Sequence, residues 1–330
     1  MIESMALPDS ALEFLSQQTE RVRQLGRRQR IVFPEGADAR VLSAAQRLAS
    51  EGLIEPVLVT PEGAAADTRL LKYAALLHER RRAKGMTRSE AVEMAARPLY
   101  FSCLMVAAGD ADGFVGGATN STADTVRAAL HSIGAAPNVS TVSSFMLLCV
   151  RGRQFGHRGV LAIADPAMVV EPTPVELADI TIATAASVRA LLGIEPIVAM
   201  LSFSTKGSGK HKKLDAVVEA CRIVQAREPG LHVDGELQAD AALVAVIGQS
   251  KAPGSTVAGK ANTLIFPELN AANIGYKLVE RLGEAAAIGP FLQGLAKPAN
   301  DLSRGCSADD IYAVALVTAL QAAAAGASRR

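Results

Sequence analysis

Two compact α/β lobes meeting at a cleft is the fold that the sequence predicts, on three observations. Apolar, β-prone runs alternate with helix-period segments along most of the chain, the pattern of α/β units around mainly parallel sheets. The 330 residues exceed the roughly 100–200 of a single domain. Pro137 and Asn138 punctuate the chain before a fresh strand series opens at Val139, which sets a boundary near residue 138. Small ligands favour the cleft between such lobes.

The elements follow in order. Arg30-Ile-Val-Phe-Pro34 reads as a strand, Val41 to Ser50 as a helix stopped by Gly52, and Pro56 to Thr60 as the next strand. A helical pattern from Arg69 to Lys84 ends at Gly85, Thr87 and Glu90 make a capping box, and Pro98 opens another helix. Asp112 to Ala118 is a buried strand with a glycine-rich end, and Thr119 to Arg127 is a polar turn opening a helix. Strands are expected at Val160 to Ala164 and Ile197 to Phe203, around a helix begun by Thr173, Pro174 and Glu176 and stopped by Gly193. A helix from Lys213 to Arg227, a Pro229-Gly230 turn, a strand at Thr263 to Phe266 and a helix from Ala271 to Arg281 come next. A strand at Pro290 to Gly294 and a last helix from about Ala308 complete the series.

Composition narrows the function. Hydrophobic residues make up 49% and charged residues 20%, with 27 Gly and 15 Pro, so disorder and low-complexity fibres are excluded. The 34 Lys and Arg balance 33 Asp and Glu to +1, and aromatics are 4% without Trp, which argues against a nucleic-acid surface and makes any anion site local. Glu3, Asp9 and Glu13 interrupt the N-terminus before an apolar segment forms, unlike a secretory signal. The apolar runs are read as strand-sized, short of the roughly 20 residues of a membrane helix. Cys103, Cys149, Cys221 and Cys306 lie far apart, as in a reducing cytoplasm.

Several signatures are absent. The five histidines form no HxxxH or HExxH, so no metal site is expected. Gly207-Ser-Gly-Lys210 is not a P-loop, because Ser204 and His211 occupy the first glycine and the Ser/Thr positions. No GxGxxG follows the first strand and no GxSxG is present.

Four segments concentrate polar chemistry, each with a plainer reading beside it. Gly116 to Arg127 feeds a strand's glycine-rich end into a Ser/Thr-rich helix start suited to a phosphate; Ser121 and Asp124 serve equally as an ordinary cap. Arg80-Arg-Arg-Ala-Lys84 ends a helix, where cations favour the dipole and a solvated terminus suffices. Ser204 to Lys210 follows a strand, as ligand loops do and exposed turns also do. Gly294 to Asp310 crowds Lys297, Asn300, Asp301, Ser303, Arg304 and Asp310 into one loop, with Ser307-x-x-Asp310 also a helix cap and Cys306 read as packing.

Taken together these segments resemble the phosphate acetyltransferase (phosphotransacetylase) family. The resemblance is carried in order by Val32-Phe-Pro-Glu-Gly36, Lys84-Gly-Met-Thr87, Asp112-Gly-Phe-Val-Gly-Gly117, Ser204-Thr-Lys-Gly-Ser208, Asp234-Gly-Glu-Leu-Gln238, Ser250 to Ser255, Val257-Ala-Gly-Lys-Ala-Asn262 and Asn300-Asp-Leu-Ser-Arg-Gly305. It implies an isocitrate/isopropylmalate dehydrogenase-like fold, with residues 1–138 plus 291–330 as the first domain and 139–290 as the second, which carries dimerisation and the substrate cleft. It implies reversible acetyl transfer between acetyl phosphate and coenzyme A in a cytoplasmic homodimer, without metal or other cofactor and without nucleic-acid or membrane partners. A butyryl-preferring acyltransferase and a catalytically silent acyl-CoA sensor are the alternatives.

Residue by residue, the resemblance assigns catalysis to Ser303, Arg304 and Asp310. Coenzyme A is assigned to Arg81, Arg127, Ser121 and Thr122, with Arg80 and Arg82 able to replace Arg81. Acetyl phosphate is assigned to Lys260, Asn262, Lys297 and Asn300. Asp310 would take the thiol proton, Arg304 would polarise the carbonyl and Ser303 would donate a hydrogen bond. Reference values of about 3.9 for Asp and 8.5 for a thiol leave that proton transfer uphill by roughly 6 kcal/mol. Burial of Asp310 and the charge of Arg304 are expected to share the correction.

Overall fold

Local sequence signals set the helix ends. Thr87 and Glu90, and likewise Thr173 and Glu176, form full capping boxes, and Gly85 and Gly193 turn the chain out of helices at φ +86° and +66°. The structure, a computed structural model, describes residues 7–137 and 139–327. The expected boundary residue Asn138 and residues 1–6, including Glu3, lie outside the described residues.

In chain order the strands are β1 (Gln29–Phe33), β2 (Ile54–Leu58), β3 (Gly113–Gly116), β4 (Ser143–Cys149), β5 (Val160–Ala164), β6 (Ile197–Leu201), β7 (His232–Leu237), β8 (Thr263–Ile265), β9 (Ala286–Gln293) and β10 (Ala299–Asp301). They fall into two compact units, Gln17–Asn138 with Leu295–Arg330, and Met1–Ser16 with Val139–Gly294. The early residues therefore group with the later segment, where Ser10 Oγ donates to the Val150 carbonyl at 2.8 Å and Arg153 pairs with Glu13 at 2.7 Å. Residues 291–293 belong to β9, and so to that unit as well.

The unit built on residues 17–138 and 295–330 holds a four-stranded sheet in the order β10-β3-β1-β2, parallel throughout. Val32, Tyr73, Leu77, Phe101, Leu104, Phe114 and Ile133 form its core, each large side chain contributing about 1.5–3 kcal/mol. The final helix, Ala308–Ala327, packs on this sheet with Ile311, Val314, Leu316 and Val317 buried. This corrects the expectation that apolar runs are only strand-sized: residues Ala308–Gly326 are long and apolar enough to span a membrane, yet 61% of that stretch is buried as a core helix. The pair Arg88–Ala95 and Pro98–Ala108 reaches that length only across a 99° bend.

The other unit holds a six-stranded sheet, β7-β6-β8-β5-β4-β9. Here β4 runs antiparallel to both β5 and β9, while the pairings of β5, β6, β7 and β8 are parallel, in keeping with the mainly parallel expectation. Because every residue of β4 is buried, its apolar run carries no sign of direction. The connection at residues 150–159 holds no crossover helix, and an antiparallel neighbour is what so short a link allows. Met146, Leu161, Ile163, Leu201 and Leu264 sit in the core of this unit.

Candidate active site

Three loops leave the C-terminal ends of β1, β3 and β10, where open α/β sheets place ligands. Glu35, in the first loop, is buried and accepts from Gly117 N and Asn120 Nδ2, both at 2.8 Å, tying it to the second. Gly117 sits at φ +114°, and a Cβ there would lie 2.4 Å from Asp301 Oδ1 and 2.7 Å from the Leu302 carbonyl, so only glycine fits. Leu302 N donates to the Gly116 carbonyl at 2.8 Å and starts the third loop.

That third loop carries the expected catalytic residues at the surface. Ser303 Oγ accepts from Gly305 N at 3.3 Å, and the Arg304 guanidinium is exposed, with no acceptor among the described residues. Asp310 begins the final helix, and its Oδ2 accepts from Ser307 N (2.8 Å) and Ser307 Oγ (2.9 Å). The capping arrangement is therefore present, while Oδ1 accepts no hydrogen bond among the described residues. Asp310 is exposed, so the burial expected from the sequence is not found. Cys306 is buried and its thiol is pushed up to about 11, mainly by desolvation, which agrees with packing rather than nucleophilic duty.

The basic residues separate clearly. Arg80 donates to the Ile133 carbonyl at 2.8 Å and Arg82 pairs with Glu79 at 2.8 Å. Arg81 is half-buried, its Nε without a partner. Arg127, paired with Asp124 at 2.7 Å, lines a cleft of about 730 Å³ with Glu35, Asp38, Met94, Arg97 and Tyr100. Burial holds the His131 imidazole below its usual pKa, and the charges of Arg81 and Arg127 add to this. Tyr100 Oη lies 3.1 Å from His131 Nδ1. Sequence reasoning missed Arg97, Tyr100 and His131, for no motif links a helix-opening Arg97 to a histidine on a later helix.

Ser121 caps the helix Thr122–Ser132 through Asp124 N at 3.2 Å, the ordinary cap weighed in the sequence. Thr122 Oγ1 donates to the buried Asp301 Oδ2 at 2.6 Å and so points inward. Three of the four residues assigned to acetyl phosphate make hydrogen bonds within the fold. Asn262 bridges Ile197 N (2.8 Å), Thr263 Oγ1 (2.9 Å) and the Glu195 carbonyl (2.9 Å). Lys297 Nζ closes the end of Pro98–Ala108 at the Val106 carbonyl (2.6 Å), and Asn300, buried, donates to Thr318 Oγ1 (2.8 Å) and Gln321 Oε1 (2.7 Å). The fourth, Lys260, is exposed in the unit of the six-stranded sheet.

Asp301 beside the loop is raised to about 6, first by burial and further by the charge of Glu35, against the hydrogen bond from Thr122 Oγ1. Its Oδ1 and Glu35 Oε2 are buried without partners among the described residues. Because the folded value exceeds the unfolded one of about 3.9, the fold loses stability as pH rises between them, by about 3 kcal/mol in full above the higher value. Asp301→Asn is therefore expected to gain stability relative to the parent as pH rises from about 4 to 7. Urea unfolding at both pH values measures this, and a pH-independent difference would refute it.

A parallel strand followed by one loop and helix start that carry an open guanidinium, a hydroxyl and a carboxylate, in a unit that also holds an arginine-lined cleft, marks an α/β enzyme for an anionic substrate. Residues 13–319 match the family model of phosphate acetyl/butaryl transferases. A phosphate acetyltransferase of Acetivibrio thermocellus is 45% identical over 310 residues, 88% of this chain and 93% of that protein. One from Paracoccus denitrificans is 47% identical over 299 residues, 88% and 94% of the two chains. The crystal structure of a phosphotransacetylase from Streptococcus pyogenes superposes with a TM-score of 0.87 at 43% identity, covering 94% of this chain and 98% of that one. The chain belongs to the phosphate acetyl/butaryl transferase family.

Proposed function

We propose that the chain is a phosphate acetyltransferase, which exchanges an acetyl group between acetyl phosphate and coenzyme A in either direction. The observation that carries the reading to this site is Arg304, exposed and without an acceptor among the described residues, beside Ser303 at the C-terminal end of β10. The coenzyme A thiol gives its proton to Asp310 Oδ1, the thiolate attacks the acetyl carbonyl, a C–S bond forms, and the C–O bond to phosphate breaks with its electron pair leaving on phosphate. Arg304 stabilises the oxyanion and Ser303 donates a hydrogen bond. No electrons are exchanged, so the step balances without a redox cofactor, and no metal is invoked. Phosphate release from acetyl phosphate that depends on coenzyme A and persists in a chelator tests this; release without coenzyme A would refute it.

Arg81 and Arg127 hold the phosphates of coenzyme A in this reading, and the hydrogen-bonding of Arg80 and Arg82 elsewhere supports Arg81. Replacing Arg81 or Arg127 with Ala is expected to raise KM for coenzyme A by about 10-fold and to change KM for acetyl phosphate far less, since a charge-assisted contact remote from the chemistry is lost. Steady-state kinetics with each substrate varied checks this, and equal effects on both would mark a structural role.

The isocitrate/isopropylmalate dehydrogenase type of fold, a cytoplasmic location and a homodimer belong to the same proposal. The four cysteines, all free and buried, support a reducing compartment. Helix Leu269–Leu282 buries only Ala272 and exposes Ile274, Leu278 and Leu282 at four-residue spacing, an apolar stripe suited to a second copy of the chain. Sedimentation of the purified chain measures the assembly.

A further inference from the structure

The loop that carries Ser303 and Arg304 is held by a side chain from the opposite side of β3. A guanidinium has five N–H donors, and each of those on Arg40 meets an oxygen. Nη1 donates to the backbone carbonyls of Arg304 and Cys306, both at 2.9 Å, and Nη2 to the Ala118 carbonyl at 2.8 Å. The remaining two go to Asp38, from Nε to Oδ1 at 3.1 Å and from Nη2 to Oδ2 at 2.9 Å. Asp38 also caps the helix Ala39–Ser50, which fixes the carboxylate before it grips the fork. One side chain thus joins the loops after β1, β3 and β10.

We propose that Arg40, oriented by Asp38, is a positioning residue for the transfer reaction: it fixes the backbone of Arg304 so that the Arg304 guanidinium is presented at the C-terminal end of β10. This rests on the reading of Arg304 as the group that polarises the acyl carbonyl. Arg40 does not act on substrate itself, because its donors are all occupied. Lysine does not replace it, since three carbonyls and a carboxylate in a fixed planar arrangement need a fork rather than a point charge. Other residues near the loop do not duplicate the brace: Gly305 N and Cys306 N bond back to Ser303 within the loop itself.

A double-mutant cycle on the full-length chain tests the proposal. Arg40→Ala is expected to lower kcat by on the order of 10²-fold, the scale of a reacting group displaced by about 1 Å, with KM for coenzyme A within about twofold, and to lower the melting temperature as its five hydrogen bonds are lost. Arg40→Lys should lose about as much. In the Arg304→Ala background, Arg40→Ala should cost far less activity than in the parent, because the guanidinium it positions is already gone. Asp38→Asn keeps a competent helix cap but loosens the fork, so an intermediate loss of kcat at unchanged stability is expected; it carries the cycle if Arg40→Ala does not fold. Parental kcat in Arg40→Ala, or equal losses in the two backgrounds, would overturn the positioning role. Full activity of Arg304→Ala alone would overturn the reading of Arg304 beneath it, an outcome visible before Arg40 is touched.

Discussion

Arg304→Ala is expected to lower kcat by about 10²–10³ fold, the loss that accompanies removal of one donor aimed at developing negative charge. The structure separates this loss from unfolding. The Arg304 side chain is exposed and makes no ion pair among the described residues, whereas its carbonyl is held by Arg40 and remains held in the variant. The melting temperature should therefore stay within the small range of surface substitutions. Arg304→Lys should recover little, because a point charge does not reproduce two-point donation. Stopped or steady-state kinetics beside a thermal melt reads both quantities, and an active, stable alanine variant would remove Arg304 from the mechanism.

Asp310→Asn is expected to lower kcat by about 10²–10⁴ fold near neutral pH, the usual range for a positioned general base. The loss should shrink as pH rises past the thiol's reference value of about 8.5, where coenzyme A ionises without help. The cap gives a clean control. Asn retains an oxygen that accepts from Ser307 N and Oγ as Oδ2 does, so the helix start survives and stability changes little. With Asp310 exposed, the field of Arg304 is left to favour the thiolate. Near-parental kcat at every pH would leave Asp310 a capping residue only.

Signals confined to a few neighbouring residues were legible in the sequence. Thr87 with Glu90, Thr173 with Glu176, Gly85 and Gly193 act where their own backbone turns, and each does so in the structure. The strand Val160–Ala164 was read to the residue from its apolar run. What failed was long-range. β7 was missed because Asp234-Gly-Glu236 interrupts it with turn-like polarity, and β10 because Ala299-Asn-Asp301 reads as loop until Phe114, Val115 and Gly116 pair with it. The site divides along the same line. Ser303, Arg304 and Asp310 stand in one short stretch of sequence, whereas the internal carbonyl and hydroxyl partners of Asn262, Lys297 and Asn300 are set by tertiary structure and carry no local signal. Arg40 carried no signal, since its partners lie on loops set by tertiary structure.

The adjacency of β10 to β3 has a consequence for synthesis. A ribosome delivers β1, β2 and β3 early, then the whole of residues 139–294, and only afterwards the strand and helix that finish the first sheet. During that interval β3 offers an unpaired edge, and the apolar seat of Ala308–Ala327 stands open to water. Such an intermediate invites chaperone binding and mispairing with another nascent chain. In the proposed mechanism it is also inert, for Arg304 and Asp310 arrive last: catalytic competence and completion of the sheet would then be one event, and a chain cut short before β10 is expected to show no partial activity.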